Sequence, residues 1–415
     1  MPSFAELLNQ PLHLPCGAIL SNRLAKAALS ETLGTVDQRP TEKLVTLYRR
    51  WSAGGSGLLI TGNVMVDRLH LGEPGNVVLD DERDMAMLRR WAAAGTEHGN
   101  HLWMQLNHPG KQSPLSLSSG DTLSPSAVPF SADLQSYFKT PRALTEPEIH
   151  DIIERFARAA ALAKEAGFTG VQVHGAHGYL LNQFLSGHHN QRTDQWGGSL
   201  DNRMRFPLEI YRAIRHRVGA AYPISIKLNS ADFQRGGFTE EESMIVAESL
   251  SAEGLDLLEI SGGNYENPAM AQGVKESTRQ REAYFLDYAE KIRSRVSVPL
   301  MVTGGFRSSD VMGEAVASGA THMIGLGRPL AMEPDLPRRI LQGESVRSLV
   351  EPRRTGIKII DRLAMMEVLW FTRQLHRMGA GKDPIRNESV LIAMLRSMTT
   401  ALIDARRIRR MRLRA

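Results

Sequence analysis

The stretch EPEIHDIIERFARAAALAKEAGFTGVQVHGAHGY, from Glu146 to Tyr179, decides the fold. Glu146 to Glu165 repeats apolar residues at helical spacing, with Ile149, Ile152, Ile153, Phe156, Ala160 and Ala163 on one stripe. Gly170 to His174 is then a short β-branched run of strand type. Helical patterns alternating with short apolar strands announce a parallel sheet covered by helices. The same rhythm places strands at Asn22 to Leu29, Gly57 to Thr61, Leu102 to Leu106, Ile224 to Leu228, Leu255 to Ile260, Leu300 to Thr303 and Met323 to Gly325. Eight βα pairs in one chain favour closure into a (β/α)8 TIM barrel, an α/β fold, over an open sheet.

Working outward, residues 107–144 are rich in Ser and Pro and lie between the third strand and its helix, which makes them a long loop on the C-terminal face. Residues 11–20 suit a hairpin plugging the opposite end. Beyond about residue 345 the rhythm stops. Two helical patterns follow, Ile357 to Met378 and Glu388 to about Arg410, with Gly379, Gly381 and Pro384 between them and Asn387 suited to an N-cap. The expected division is a barrel over 1–345 and, over 346–415, a C-terminal helical hairpin extension with a basic tail. The hairpin's stripe of Leu363, Met366, Leu369, Trp370, Leu391, Met394, Leu395 and Met398 is expected to pack on the barrel or on a second subunit, the latter giving a homo-oligomer.

The chain has 415 residues, 42% of them apolar and 23% charged, enough to bury a full-sized core. One cysteine, Cys16, supplies neither a disulfide nor a zinc or iron–sulfur ligand set, so redox chemistry would need an organic cofactor. The net charge of +5 is concentrated in Arg406, Arg407, Arg409, Arg410, Arg412 and Arg414, which leaves the body nearly neutral and argues against a nucleic-acid groove. With no leader pattern and no apolar run long enough to span a bilayer, the sequence reads as cytoplasmic and free of a membrane span.

In such a barrel, residues at the C-terminal ends of the strands converge on one pocket. The fourth strand ends in His174-Gly175-Ala176-His177-Gly178-Tyr179. Two imidazoles three residues apart can give two N–H donors to one oxygen, and donors aimed at developing negative charge contribute on the order of 3 kcal/mol each. Tyr179 follows as a proton donor, since a phenol with a reference pKa of about 10 is protonated at neutral pH. A zinc site would need a third ligand at a matching strand end, but strands five to eight end in Lys227, Ser261, Thr303 and Gly325, so no metal is expected. Lys227 in an apolar strand reads either as a buried ion pair or as a fixed cation facing the pocket. Gly304-Gly305 and Gly327-Arg328 follow the last two strands, where such barrels cradle a phosphate on backbone N–H groups. No G-x-G-x-x-G fingerprint follows a strand, so a mononucleotide fits better than a dinucleotide domain.

At this point the chain resembles the Old Yellow Enzyme family of FMN-dependent ene-reductases. The likeness rests on HGAHGYLLNQFLSGHHNQRTDQWGGSLDNRMRF from His174 to Phe206, on Asn22-Arg23, GLLITGN, QLNHPGK, VTGGF and GLGRP, and spans roughly residues 5–345. It implies FMN as cofactor, with NADPH or NADH as reductant and a small electron-poor alkene as substrate. Ala27, Ala28 and Leu29 would line the flavin, Gly62 and Gln105 would meet its pyrimidine side, and Lys227 would sit near N1 where the family commonly has arginine. Ser30 would donate to O4 where the family has Thr or Cys, Ser261 would join the cofactor set, and Gly304, Gly305, Gly327 and Arg328 would hold the phosphate. His174 and His177 would bind the substrate carbonyl, and Tyr179 would protonate the carbon beside it after N5 delivers hydride to the other. Substrate selection falls to loops 107–144 and 264–282. Two rivals stand beside this reading: oxidation or demethylation of an amine, which an aromatic cage would favour but few strand-end aromatics support, and a non-catalytic flavin redox module.

Overall fold

A computed structural model of the chain describes residues 3–117, 120–132, 134–262, 285–351, 353, 355 and 366–396. Eight parallel strands form the barrel: β1 Leu24–Lys26, β2 Leu58–Ile60, β3 His101–Asn107, β4 Gly170–Gly175, β5 Ile224–Asn229, β6 Leu257–Ser261, β7 Leu300–Thr303 and β8 Met323–Leu326. Each pairs with the next, β3 meets β4 with Gln105 opposite Gln172, and β8 returns to β1 with Ile324 opposite Leu24, so the sheet closes. β1 is shorter than the eight residues read from sequence. Asn22 ends it, because its Oδ1 accepts from the N–H groups of Leu24 and Gly57 at 3.0 and 2.9 Å in place of a ladder partner.

The expected hairpin is present: Leu12–His13 pairs antiparallel with Ile19–Leu20. Leu12, Leu14 and Leu20 pack against Ala25, Leu58, Trp103, Leu257, Met301 and Met323, sealing the N-terminal end. Each of these leucines contributes roughly 1.5–3 kcal/mol by leaving water. Higher in the barrel the filling turns polar, with Gln105, Gln172, Lys227 and Glu259 all buried. Helices cover the outside; Glu146–Glu165 spans the residues its spacing predicted and starts with a Thr145–Glu148 capping box.

Helix Met366–Gly379 lies on helix Glu42–Ser52 and on the short helix Arg328–Met332. The expected helix from Ile357 is described only from Met366 onward, and 356–365 and 397–415, with Leu363, Met398 and the tail arginines, are outside the described residues. Trp370 is fully buried as expected, but Leu391 and Leu395 are exposed, so that part of the predicted stripe does not pack on the barrel. Loop 264–282 is also outside the described residues. No described helix is long and apolar enough to cross a membrane.

Candidate active site

The turn after β4 brings the two histidines and the tyrosine together. The His174 ring lies 5.1 Å from that of His177 and 4.8 Å from that of Tyr179, both edge-on. Placing them requires an unusual backbone: His177 has φ +60 and Gly178 φ +77, both left-handed. The turn is held by side chains from neighbouring loops. His177 N–H donates to Asn229 Oδ1 at 3.1 Å and Gly178 N–H to Asn182 Oδ1 at 2.8 Å. Asn182 and Asn229 in turn donate to Asp232 Oδ1 at 3.0 and 3.1 Å, and Asp232 Oδ2 accepts from Phe238 N–H. The turn carbonyls are met as well, by Gln112 at His177 and Gln183 at Gly178. Sequence reading missed this network because its members lie on three separate segments. Asp232→Asn presents an N–H₂ to at least one of these donors. It is expected to cost about 1–3 kcal/mol, read as a lowered unfolding midpoint in denaturant, whereas an unchanged midpoint would show that the network does not hold the turn.

Hydrogen bonding fixes the ring proton of His174. His174 Nδ1 accepts from Ala176 N–H at 3.3 Å, so in the neutral ring the proton is on Nε2, a donor. His177 Nε2 is 2.7 Å from Ser261 Oγ; a hydroxyl donating there leaves the ring proton on Nδ1. Burial, then the neighbouring His177 and Lys227, hold His174 well below its ordinary value, and burial with Lys227 pushes His177 down to about 3. Both rings are therefore neutral at physiological pH, and His174 Nε2–H is a donor. Unfolded histidine titrates near 6.5. Neutral burial thus contributes stability that is complete above about pH 6.5 and lost as pH falls toward 3. His108, pushed to about 3 by burial, adds to the same slope. The melting temperature is expected to fall steadily from about pH 7 to pH 5; a flat profile over that window contradicts these assignments.

The polar layer beneath sets the polarity of Gln105. Glu259 Oε2 can only accept, so the Gln172 amide N–H₂ faces it at 2.8 Å. The oxygen of Gln172 then accepts from Gln105 Nε2 at 2.8 Å, which leaves the oxygen of Gln105 as an acceptor for a ligand. Lys227 Nζ is 2.8 Å from Glu259 Oε1, a buried ion pair. A lone charged residue in an apolar strand, repeated one strand over, was the signal that could have exposed the pair.

Other predicted residues are engaged by the protein itself. Ser30 Oγ donates to Glu73 Oε1 at 2.7 Å. Gly62 N–H donates to both oxygens of Glu31, and a Cβ on Gly62 would collide with Leu29 O. Arg328 Nη1 is 2.5 Å from Glu367 Oε2, an acid on the C-terminal helix that sequence reading did not flag. Ala27 is buried, and Ala28 and Leu29 are half-buried.

Several features suit FMN. Gly304 and Gly305, just past β7, have φ +126 and +89, backbone that favours glycine, while Gly325 in β8 has no room for a Cβ because Thr303 Oγ1 packs against it. Among the buried polar atoms without a partner in the described residues, Thr303 Oγ1 lies at the end of β7 and both side-chain polar atoms of Asn107 at the end of β3. Glycine backbone just past β7 together with these spare polar atoms fits a phosphate and a heterocycle edge. Asp67, His70 and His108 also place three ligand-type atoms within 4.8 Å of one another. Gly110 N–H donates to His108 Nδ1 at 3.1 Å, which puts the ring proton on Nε2, the nitrogen that faces Asp67 at 3.9 Å. With Nδ1 taken by Gly110 N–H and the proton on Nε2, neutral His108 has no free ring lone pair to offer a metal.

Residues 8–346 match the family described as NADH:flavin oxidoreductase / NADH oxidase. The NADH-dependent flavin oxidoreductase iliE of Hypocrea jecorina (strain QM6a) is 37% identical over 361 residues, 81% of this chain and 89% of that protein. Among solved structures, a 2-naphthoyl-CoA reductase complex matches with a TM-score of 0.76 at 28% identity, over 83% of this chain and 54% of that one, so the chain spans only about half of it. Morphinone reductase matches with a TM-score of 0.68 at 27% identity, over 82% and 90% of the two chains.

Proposed function

The chain belongs to the NADH:flavin oxidoreductase, or Old Yellow Enzyme, family of FMN-dependent oxidoreductases that use NADH or NADPH, and we propose that within it the chain reduces C=C bonds conjugated to a carbonyl or nitro group. The observation that carries this reading is the His174, His177 and Tyr179 cluster, with ring centroids about 5 Å apart in neighbouring pairs and both imidazoles neutral. FMN, when bound, supplies the hydride. His174 Nε2–H and His177 Nδ1–H are the donors for the acceptor's oxygen, where negative charge develops as hydride arrives at the far carbon. Neutral rings donate without trapping that oxygen as a fixed ion pair, so product can leave. Tyr179 is the proton donor to the carbon beside the activating group, and solvent replaces its proton. Gly304, Gly305, Gly327 and Arg328 would hold the phosphate, Gln105 would offer its oxygen to an N–H on the ring edge, and Lys227 would lie near N1. The names of two neighbours, a morphinone reductase and a naphthoyl-CoA reductase, support substrates in which unsaturation is conjugated to a carbonyl.

Anaerobic stopped flow tests the cycle. NADH or NADPH is expected to bleach the flavin, and 2-cyclohexenone or a nitroalkene to restore its colour. Failure of both nicotinamides would end this reading, and reduction by a tertiary amine alone would favour oxidation instead.

A further inference from the structure

Helix Met366–Gly379 lies beyond the residues that carry the family likeness, yet its polar side chains reach the seam between β8 and β1. Thr372 Oγ1 donates to Ser30 O at 3.0 Å. His376 Nε2 is 2.9 Å from Glu31 O and 3.0 Å from Thr32 Oγ1; a carbonyl can only accept, so this nitrogen carries the ring proton and is shared between the two oxygens. The segment so gripped is strained. Thr32, a β-branched residue, has φ +48, a conformation that such residues adopt only when their surroundings impose it. From the barrel side the Glu31 carboxylate holds the same segment, accepting from Lys26 Nζ at 2.9 Å, from Gly62 N–H at 3.0 Å and from the Tyr48 hydroxyl. Nearer the start of the helix, Glu367 takes Arg328 at the end of β8.

From these contacts we infer that helix Met366–Gly379 is a wall of the cofactor pocket, with Thr372 and His376 as positioning residues that hold 30–32 in the strained form FMN binds. The inference rests on the proposed reading that this chain binds FMN with Arg328 beside the phosphate, and on the expectation that the segment after β1 lines its ring. If the pocket-forming segment is held only while the helix is docked, FMN binding and helix docking are linked, and each strengthens the other by the same factor.

The test starts from the full-length protein stripped of FMN and titrated with FMN by fluorescence quenching. Thr372→Val keeps the shape and removes one donor; combined with His376→Leu it removes both. The double variant is expected to raise the Kd for FMN roughly tenfold or more, as the loss of two ordinary hydrogen bonds implies, and His376→Gln, whose amide can donate, to recover part of the loss. On the unmodified chain, FMN loading is expected to slow amide exchange across 366–379. A purely structural helix would lower the melting temperature of the FMN-free and FMN-loaded forms alike and leave the Kd unchanged. A Kd within twofold of the parent together with exchange insensitive to FMN overturns the inference. Should the double variant fail to fold, the Thr372→Val titration and the exchange experiment decide in the same way. Wild-type protein that takes up no FMN would overturn the proposed function too, whereas wild-type uptake with unmoved variants overturns this inference alone.

Discussion

Tyr179→Phe is expected to slow reoxidation of the reduced enzyme by an enone by about a hundredfold or more, as the loss of a positioned general acid implies, while reduction by NADH keeps its parental rate. The two halves separate because only the second needs a proton at carbon. The phenyl ring left by the substitution keeps the edge contact that Tyr179 makes with His174 at 4.8 Å, so His174 stays in place and only the hydroxyl is lost. Equal losses in both half-reactions would mean that the residue shapes the pocket for nicotinamide and alkene alike. No loss in either would remove the phenol from the chemistry.

His174→Leu should have an effect of the same order on the same half-reaction. Removing one donor from a site of developing negative charge costs roughly a hundredfold or more in rate. His174 is the better choice of the pair because its Nδ1 is tied to Ala176 N–H, so the substitution leaves one backbone N–H to find another partner while the left-handed turn at His177 and Gly178 keeps its own supports. His174→Asn, which retains a donor, is expected to recover part of the rate. Binding of a phenol, whose oxygen resembles that of the enolate, should weaken in the leucine variant and be largely restored in the asparagine one. If the leucine variant binds phenol as tightly as the parent, the imidazole is not where the oxygen lies.

The barrel was legible because its strands are short runs of Leu, Ile, Val and Met between long amphipathic helices, and a strand buried on both faces has little else to be. Glu146–Glu165 was readable to the residue for the same reason. The site was legible where its chemistry is local in sequence: His174, His177 and Tyr179 follow one strand end within six residues. It was not legible where chemistry depends on register between distant strands. Lys227 lies opposite Glu259 only because β5 and β6 align as they do, and Gln172 hands the polarity of Glu259 on to Gln105 across residues far apart in the chain. Asn182, Asn229 and Asp232 are ordinary loop and strand-end residues until folding brings them to one turn. The partners of Ser30 and Arg328, Glu73 and Glu367, come from a loop and from a helix outside the βα rhythm, and nothing local in the sequence ties either acid to its partner.

The arrangement of donors around one oxygen is tested most directly by a crystal of the FMN-loaded protein soaked with a simple phenol. The phenol oxygen is predicted within hydrogen-bond reach, about 3.2 Å or less, of ring nitrogens on both His174 and His177, with the Tyr179 hydroxyl beside the ring carbon next to that oxygen. A phenol bound elsewhere in the mouth, or its oxygen held by neither imidazole, would contradict the account.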